Sequence, residues 1–203
     1  MRLVSLLLAS LIAVASLSTP GRAADGTLTH IRGTVQSLDG QTLVVVSRDG
    51  PVVTVLLAKD VKVSTLAKVD LAAIKAGDFI GTAAVPGTDG KLHAQEILVF
   101  PEAMRGAGEG HYGWDLEPGS MMTNGTVSGT VDAKSGRQLS VSYKDGNQMI
   151  VVPPNAPVVT FAPAEKSDLK PGAKVMFGAT KNPEGKLAAS RVTVETNGVA
   201  PPM

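Results

Sequence analysis

Apolar and polar residues alternate along several short stretches of the chain, with turn signals between them. Strict alternation is typical of strands with one buried face, and an Asp-Gly pair such as Asp49-Gly50 between two such stretches favours a hairpin. Before the fourth stretch, Asp70 is placed to cap a short helix and Gly77 to end it in the left-handed conformation. The predicted strands are 27–35, 42–47, 51–57, 78–85 and 91–100.

The same pattern occurs twice in the chain. IRGTV at 31–35 recurs as VSGTV at 127–131, and GKL at 90–92 recurs as GKL at 185–187. In the second copy the helical segment, 167–172, is shorter, and we expect only a single helical turn there. So many turn residues in register indicate an internal duplication.

Three strands, a short helix and two strands are the element order of an OB barrel, with a small sandwich of the same order as the alternative. We therefore predict an all-β fold of two tandem OB-like five-stranded barrels, with one short helix per repeat. The predicted organisation is a signal peptide at 1–23, an OB-like domain at 28–100, a linker rich in Gly, Met and aromatic residues at 101–123, a second OB-like domain at 124–197 and a flexible C-terminal tail at 198–203.

The first residues have the layout of an export signal. Arg2 precedes an apolar run from Leu3 to Leu17, and the small residues Gly21 and Ala23 occupy the positions that a signal peptidase reads. We predict cleavage after Ala23 and a periplasmic location. The alternative is a retained membrane anchor, for which the run is short compared with a span of about 20 residues. No later stretch reaches that length, so we expect the mature chain to be soluble.

Composition narrows the function further. The chain has no cysteine, which excludes disulfides and thiolate chemistry, and acids and bases nearly balance, with 19 Lys and Arg against 18 Asp and Glu. With only seven aromatic residues and no strong positive charge, nucleic acid is not an expected partner. No residues show the spacing of a catalytic triad or another catalytic motif, so we expect a protein that is not an enzyme.

The linker concentrates the residues with chemical potential. It holds the only Trp, one of three His and four acidic residues against one Arg. One interpretation is a transition-metal site, because imidazole, carboxylate and thioether are all metal donors. The other is a clasp, in which Tyr112, Trp114 and the methionines pack between the barrels. The candidate metal ligands are His111, Glu109, Asp115, Met104, Met121 and Met122, and the candidate partner-binding residues are Tyr112, Trp114 and His111.

The repeat also resembles a known group of proteins. With its GTV opening, the DG hairpin, LKPGAKV, EGKLAASRVTV and the linker run RGAGEGHYGWDLEPGSMMTN, the chain is similar to a bacterial family of secreted tandem OB-like β-barrel domains. Genomes often label this family "metal ABC transporter permease". The resemblance implies a periplasmic protein of a Gram-negative bacterium and carries no established site residues, whereas a permease would need spanning helices.

These observations lead to one leading expectation and two alternatives. We expect a non-enzymatic periplasmic binding or adaptor protein that requires no cofactor and binds another envelope protein or a small ligand. The first alternative is an accessory protein for metal handling or metal transport, which would bind a transition-metal ion. The second is an enzyme that acts on an envelope polymer.

Overall fold

The computed structural model describes residues 26–133 and 136–202, so the predicted signal peptide, 1–23, lies outside the described residues. This part of the chain forms one continuous sheet of strands with three single-turn 3-10 helices, at Leu71–Ala73, Glu102–Met104 and Lys166–Asp168. The strands are β1 (Thr29–Asp39), β2 (Thr42–Ser47), β3 (Val52–Lys68), β4 (Phe79–Pro86), β5 (Leu92–Val99), β6 (Gly110–Gly113), β7 (Met121–Ala133), β8 (Gly136–Tyr143), β9 (Gly146–Val152), β10 (Val158–Pro163), β11 (Lys174–Lys181) and β12 (Leu187–Val194).

The sheet curls into two closed five-stranded rings. In barrel A, the order is β1-β2-β3-β12-β11 and back to β1. In barrel B, the order is β7-β8-β9-β5-β4 and back to β7. Closure pairs every strand of a ring on both sides and so removes exposed sheet edges. The predicted all-β barrel fold is confirmed.

The barrels do not coincide with the two repeats. Barrel A takes β1, β2 and β3 from the first repeat and β11 and β12 from the second, and barrel B takes the complementary set. We expected each repeat to close its own barrel within 28–100 or 124–197. Because equivalent strands of a duplication carry the same alternation, pairing across the repeats buries the same faces as pairing within them. The two repeats have therefore exchanged their last two strands.

Each barrel has its own aliphatic core, as the scarcity of aromatic residues requires. Side chains from both repeats fill each core, and each core is closed by the residue that follows a 3-10 turn: Leu169 in barrel A and Ile74 in barrel B. A fully buried side chain of this size contributes roughly 1.5–3 kcal/mol. The central residues are Leu43, Val45, Val55, Leu57, Val175 and Val194 in barrel A, and Ile80, Ile97, Leu139, Val141 and Ile150 in barrel B.

Strand β10 joins the two barrels. It pairs antiparallel with the second half of β3 and parallel with β5. The sequence predicted only 51–57 for β3, which in the structure continues to Lys68 and so reaches from one barrel to the other. In the second repeat, Pro153-Pro154 follows β9 and separates it from β10, because proline lacks the amide hydrogen that a sheet ladder needs.

The predicted helix at 70–77 is shorter than expected. Asp70 does cap it, with its carboxylate accepting a hydrogen bond from the Ala72 amide at 2.8 Å, and Gly77 adopts a positive φ of 94°. Only Leu71–Ala73 is helical between them. No helix in the described part of the chain is long and apolar enough to cross a bilayer.

Candidate functional site

A cleft of about 560 Å³ lies between the two barrels. Its wall is mainly apolar and is built by both barrels, by the linker and by the last described residues of the chain. From barrel A come Lys62, Ser64, Leu66, Met176, Phe177, Gly178, Arg191 and Thr193; from barrel B Gly81, Ala83, Glu96, Leu98, Met122 and Asn124; from β10 Phe161; and from the remaining segments Phe100, Met104, Tyr112, Trp114, Pro201 and Pro202.

Strand alternation explains why these side chains reach the cleft. On β5, Ile97 points into the core of barrel B, so its neighbours Glu96 and Leu98 point outward into the cleft. On β12, Val192 points into the core of barrel A, and Arg191 and Thr193 point into the cleft. The outer faces of equivalent strands therefore face one another across the cleft.

The sequence of β4 indicates that the side facing away from the core of barrel B is also buried, which the search for strict alternation does not reveal. In β4, six consecutive residues from Phe79 to Ala84 are buried, although only alternate ones can point into the barrel. A strand buried on both faces has an apolar run instead of a strict alternation. The run FIGTAAV at 79–85 was thus an indication that something covers the outside of this barrel.

The linker forms one side of the cleft. Its strand β6 pairs antiparallel with β7, which places Tyr112 opposite Met122. The Tyr112 hydroxyl donates to the Gly108 carbonyl at 3.2 Å. Trp114 lies with its ring centroid 4.5 Å from that of His30 and 6.4 Å from that of Tyr112. The linker therefore places Tyr112 and Trp114 as an aromatic pair at the cleft.

An ion pair fastens the linker to barrel A. The Arg32 side chain is buried, with its Nη2 2.8 Å from Asp115 Oδ1, and His30 Nδ1 lies 3.1 Å from Asp115 Oδ2. Arg48 donates to the carbonyls of Leu116 and Asp115 at 3.0 and 3.3 Å. The Arg32 guanidinium also lies 5.4 Å from the centroid of the Trp114 ring, within range of a cation–π interaction.

The neighbours of Asp115 lower the pKa of its carboxyl. Partial burial raises its pKa, but the hydrogen bonds and charges of Arg32 and His30 outweigh burial, so the net pKa lies below the ordinary value of 3.8. Asp115 is therefore a carboxylate paired with the Arg32 guanidinium, and it anchors the linker to barrel A.

The predicted metal ligands are not brought together. The Nδ1 atom of His111 lies 2.8 Å from Thr123 Oγ1 and its Nε2 3.3 Å from the Gln148 amide nitrogen, on barrel B. Asp115 is instead held on barrel A, and Glu109 is exposed. Within 26–133 and 136–202, no three His, Cys, Asp or Glu side chains form a group that could hold a metal ion. Pairing of β6 fixes His111 on one barrel while Arg32 draws Asp115 to the other.

The remaining predicted residues divide between the cleft and other places. Tyr112, Trp114, Met104 and Met122 line it, whereas alternation along β6 and β7 keeps His111 and Met121 off its wall. His111 instead stacks near Tyr143, with 6.1 Å between the ring centroids.

Glu96 is the site residue that sequence reasoning missed. It is half-buried in the cleft, and burial raises its pKa from 4.5 to about 7. In the part of the chain that the structure describes, no ion pair or side-chain hydrogen bond engages its carboxyl within the usual distances. The only signal was a single acid directly before the apolar run ILVF at 97–100.

The tail expected to be flexible is packed against the cleft. Thr196 and Val199 form an isolated bridge around Asn197 and Gly198, both of which have positive φ. The turn directs the chain back, and Pro201 is buried in the wall.

Comparisons of the chain with protein-family models, with curated proteins and with solved structures gave no match. The resemblance to the secreted tandem-barrel family stays a prediction.

Proposed function

We propose that this chain is a non-enzymatic periplasmic binding protein that holds a small, mainly apolar molecule in the cleft between its barrels. The observation that carries the proposal is the cleft itself. Its volume of about 560 Å³ falls within the range of roughly 300–1,000 Å³ that is typical of small-molecule sites. Such sites combine an apolar wall with a few polar groups that orient the ligand.

The composition of the wall supports binding of a flexible apolar body. Phe100, Phe161 and Trp114 offer large flat surfaces, and Met104 and Met122 can adapt to different shapes. Apolar surface removed from water contributes about 25 cal/mol per Å² to binding.

The charged groups on the wall support a binding role over an enzymatic one. Among its described residues, Glu96 is the only carboxylic acid. Hydrolysis of an envelope polysaccharide by the common mechanism needs two carboxyl groups that flank the scissile bond. Binding needs no such pair.

Native mass spectrometry of residues 24–203, purified from a periplasm, tests the proposal. We expect an excess mass that corresponds to an organic molecule and is lost on denaturation. Leu98→Asn, which makes the wall polar at nearly constant size, should remove the excess mass. The matched control is Val131→Asn, because Val131 is 60% exposed and lies outside the cleft. A bare mass for the native chain, or an excess that survives Leu98→Asn, would contradict binding in this cleft.

A second candidate, handling of a soft metal ion, is favoured by one observation. Met104, Met122 and Met176 all lie on the cleft wall, and thioethers are ligands that suit Cu(I). Titration with Cu(I) under reducing conditions tests this candidate. Binding by these thioethers would be lost in the Met104→Leu, Met122→Leu double variant.

The controls separate this candidate from the predicted linker site. Met149→Leu changes an exposed methionine away from the cleft and should leave Cu(I) binding intact. His111→Ala should leave it intact as well, since His111 is not on the cleft wall. Loss of the ion in His111→Ala alone would return the metal site to the linker histidine.

A further inference from the structure

The polar chemistry of the cleft is asymmetric. Glu96 on β5 and Arg191 on β12 occupy equivalent positions of the two repeats, 95 residues apart, and both line the cleft. Glu96 is half-buried, whereas Arg191 is exposed. Equivalent positions of the two repeats thus carry an acid that is half-buried in the cleft and a base that is exposed to solvent.

The surroundings of Glu96 leave its carboxyl without a counter-charge. The other charged or titratable side chains on the described wall are Lys62, Arg191 and Tyr112. Lys62 and Arg191 are exposed, and neither lies within 4 Å of a Glu96 oxygen. A carboxylate that is partly removed from water without a partner is destabilised, and a bound cation reduces that cost.

We propose that Glu96 recognises the positively charged amine of an amphiphile whose apolar body lies against the aromatic and methionine side chains of the cleft. This inference rests on the proposed function and names the ligand class. The carboxylate accepts hydrogen bonds from the ammonium group, and the enclosed position strengthens their attraction.

Recognition of this kind has a defined pH dependence. Burial raises the pKa of Glu96 to about 7, so the free protein carries the carboxylate in about 3% of molecules at pH 5.5 and in about 97% at pH 8.5. An alkyl amine, which resembles the side chain of lysine, stays protonated at both values. Because the protonated form still binds the apolar body, affinity for the amine should increase from pH 5.5 to pH 8.5 by at most about thirtyfold.

Calorimetric titration with n-decylammonium and with neutral n-decanol, both below the concentrations at which they aggregate, tests the inference. We expect decylammonium to bind residues 24–203 more tightly than decanol at pH 8.5, with an affinity that rises with pH for the amine and not for the alcohol. Glu96→Gln should reduce affinity for the amine to that of the alcohol and remove its pH dependence. The matched control, Glu184→Gln, removes a carboxylate from an exposed site and should behave as the native chain.

The outcomes separate the two proposals. Equal affinity for amine and alcohol at pH 8.5, or an amine preference that persists in Glu96→Gln, would overturn the role of Glu96 and leave an apolar binding cleft. If neither compound binds, both proposals fail. An amine preference that disappears only in Glu96→Gln supports both.

Discussion

At the scale of single residues, two carboxyl groups show how surroundings decide the role of the same chemical group. Asp115 is half-exposed beside Arg32 and His30, and these neighbours lower its pKa. Glu96 lies in an apolar wall without a cation within ion-pair distance among the described residues, and burial raises its pKa to about 7. The first group holds the linker in place. The second is available to a ligand.

Glu96 should make the free protein less stable as pH rises. Its folded-state pKa is above the ordinary 4.5, so the penalty for ionising it is absent below about pH 4.5 and complete above about pH 7. Glu96→Gln should therefore raise the free energy of unfolding at pH 8.5, by at most about 3 kcal/mol, and change it little at pH 4.5. Urea unfolding at the two pH values checks this. Equal effects at both pH values would contradict a half-buried carboxyl whose pKa is raised.

The contribution of Asp115 to the free energy of unfolding should depend on pH in the opposite sense, so that it stabilises the fold as pH rises. Asp115→Asn leaves the buried Arg32 without its counter-charge and should cost about 1–2 kcal/mol, less than a fully buried pair because Asp115 is half-exposed. Since its folded-state pKa is lowered, the stabilisation is complete above about pH 4 and is lost as pH falls further. Thermal unfolding of the native chain and of Asp115→Asn at pH 7 and pH 3 measures the loss of stability and its pH dependence. Glu109→Gln, an exposed acid of the same linker, is the control, and an equal loss there would contradict a specific ion pair.

At the scale of elements, the local signals located the strands and the long-range pairings extended them. β2 was predicted at 42–47, the range that the structure has, because its alternation and both flanking turns are local. The second half of β3 contains Lys59-Asp60, which gives no strand signal, and it is held by pairing with β12 and β10. The alternation of Val61-Lys62-Val63-Ser64 resumes after this pair, but it does not show which strands will pair with it.

The C-terminal residues should contribute to the stability of the fold, because Pro201 and Pro202 pack in the cleft wall. Removal of residues 199–203 takes Pro201 and Pro202 from the cleft wall and should admit water to it. We expect the fluorescence of Trp114, the only Trp, to shift to longer wavelength and the free energy of unfolding to fall by about 1 kcal/mol. Removal of residue 203 alone is the control. Unchanged fluorescence in the longer deletion would support the flexible tail that the sequence predicted.

At the scale of the whole molecule, the exchange of strands makes the two repeats dependent on each other. Each barrel is closed by two strands of the other repeat, and the cleft wall is assembled from both repeats. The cleft therefore forms only when both barrels fold, because its wall consists of outward-facing residues on strands whose inward-facing residues form the barrel cores.

Separate expression of the halves 24–100 and 101–203 tests this dependence. We expect neither half to be a stable monomer, because a half that closed on its own strands would bury the same core but lose the pairing of β10 with β3 and β5 and the cleft contacts between the repeats. Mixing the halves should give a folded one-to-one complex. Circular dichroism and native mass spectrometry distinguish these states. Two halves that each fold as stable monomers would contradict an obligatory exchange.

The sequence by itself determined what depends on neighbours along the chain. Alternation placed most strands, Asp-Gly pairs placed turns, the Asp70 cap placed the first helical turn, and self-similarity revealed the duplication. The barrel fold followed from the order of these elements. It also identified the linker as an unusual segment, and Tyr112 and Trp114 do reach the cleft.

Only the tertiary structure decided which repeat supplies which strands, where Asp115 and His111 find their partners, and that Glu96 lies in a cleft. Equivalent strands of a duplicated chain have nearly the same pattern of apolar residues, so exchanged and unexchanged barrels bury the same side chains. The choice between them depends on contacts between residues far apart in sequence, and the cleft exists only after that choice has been made.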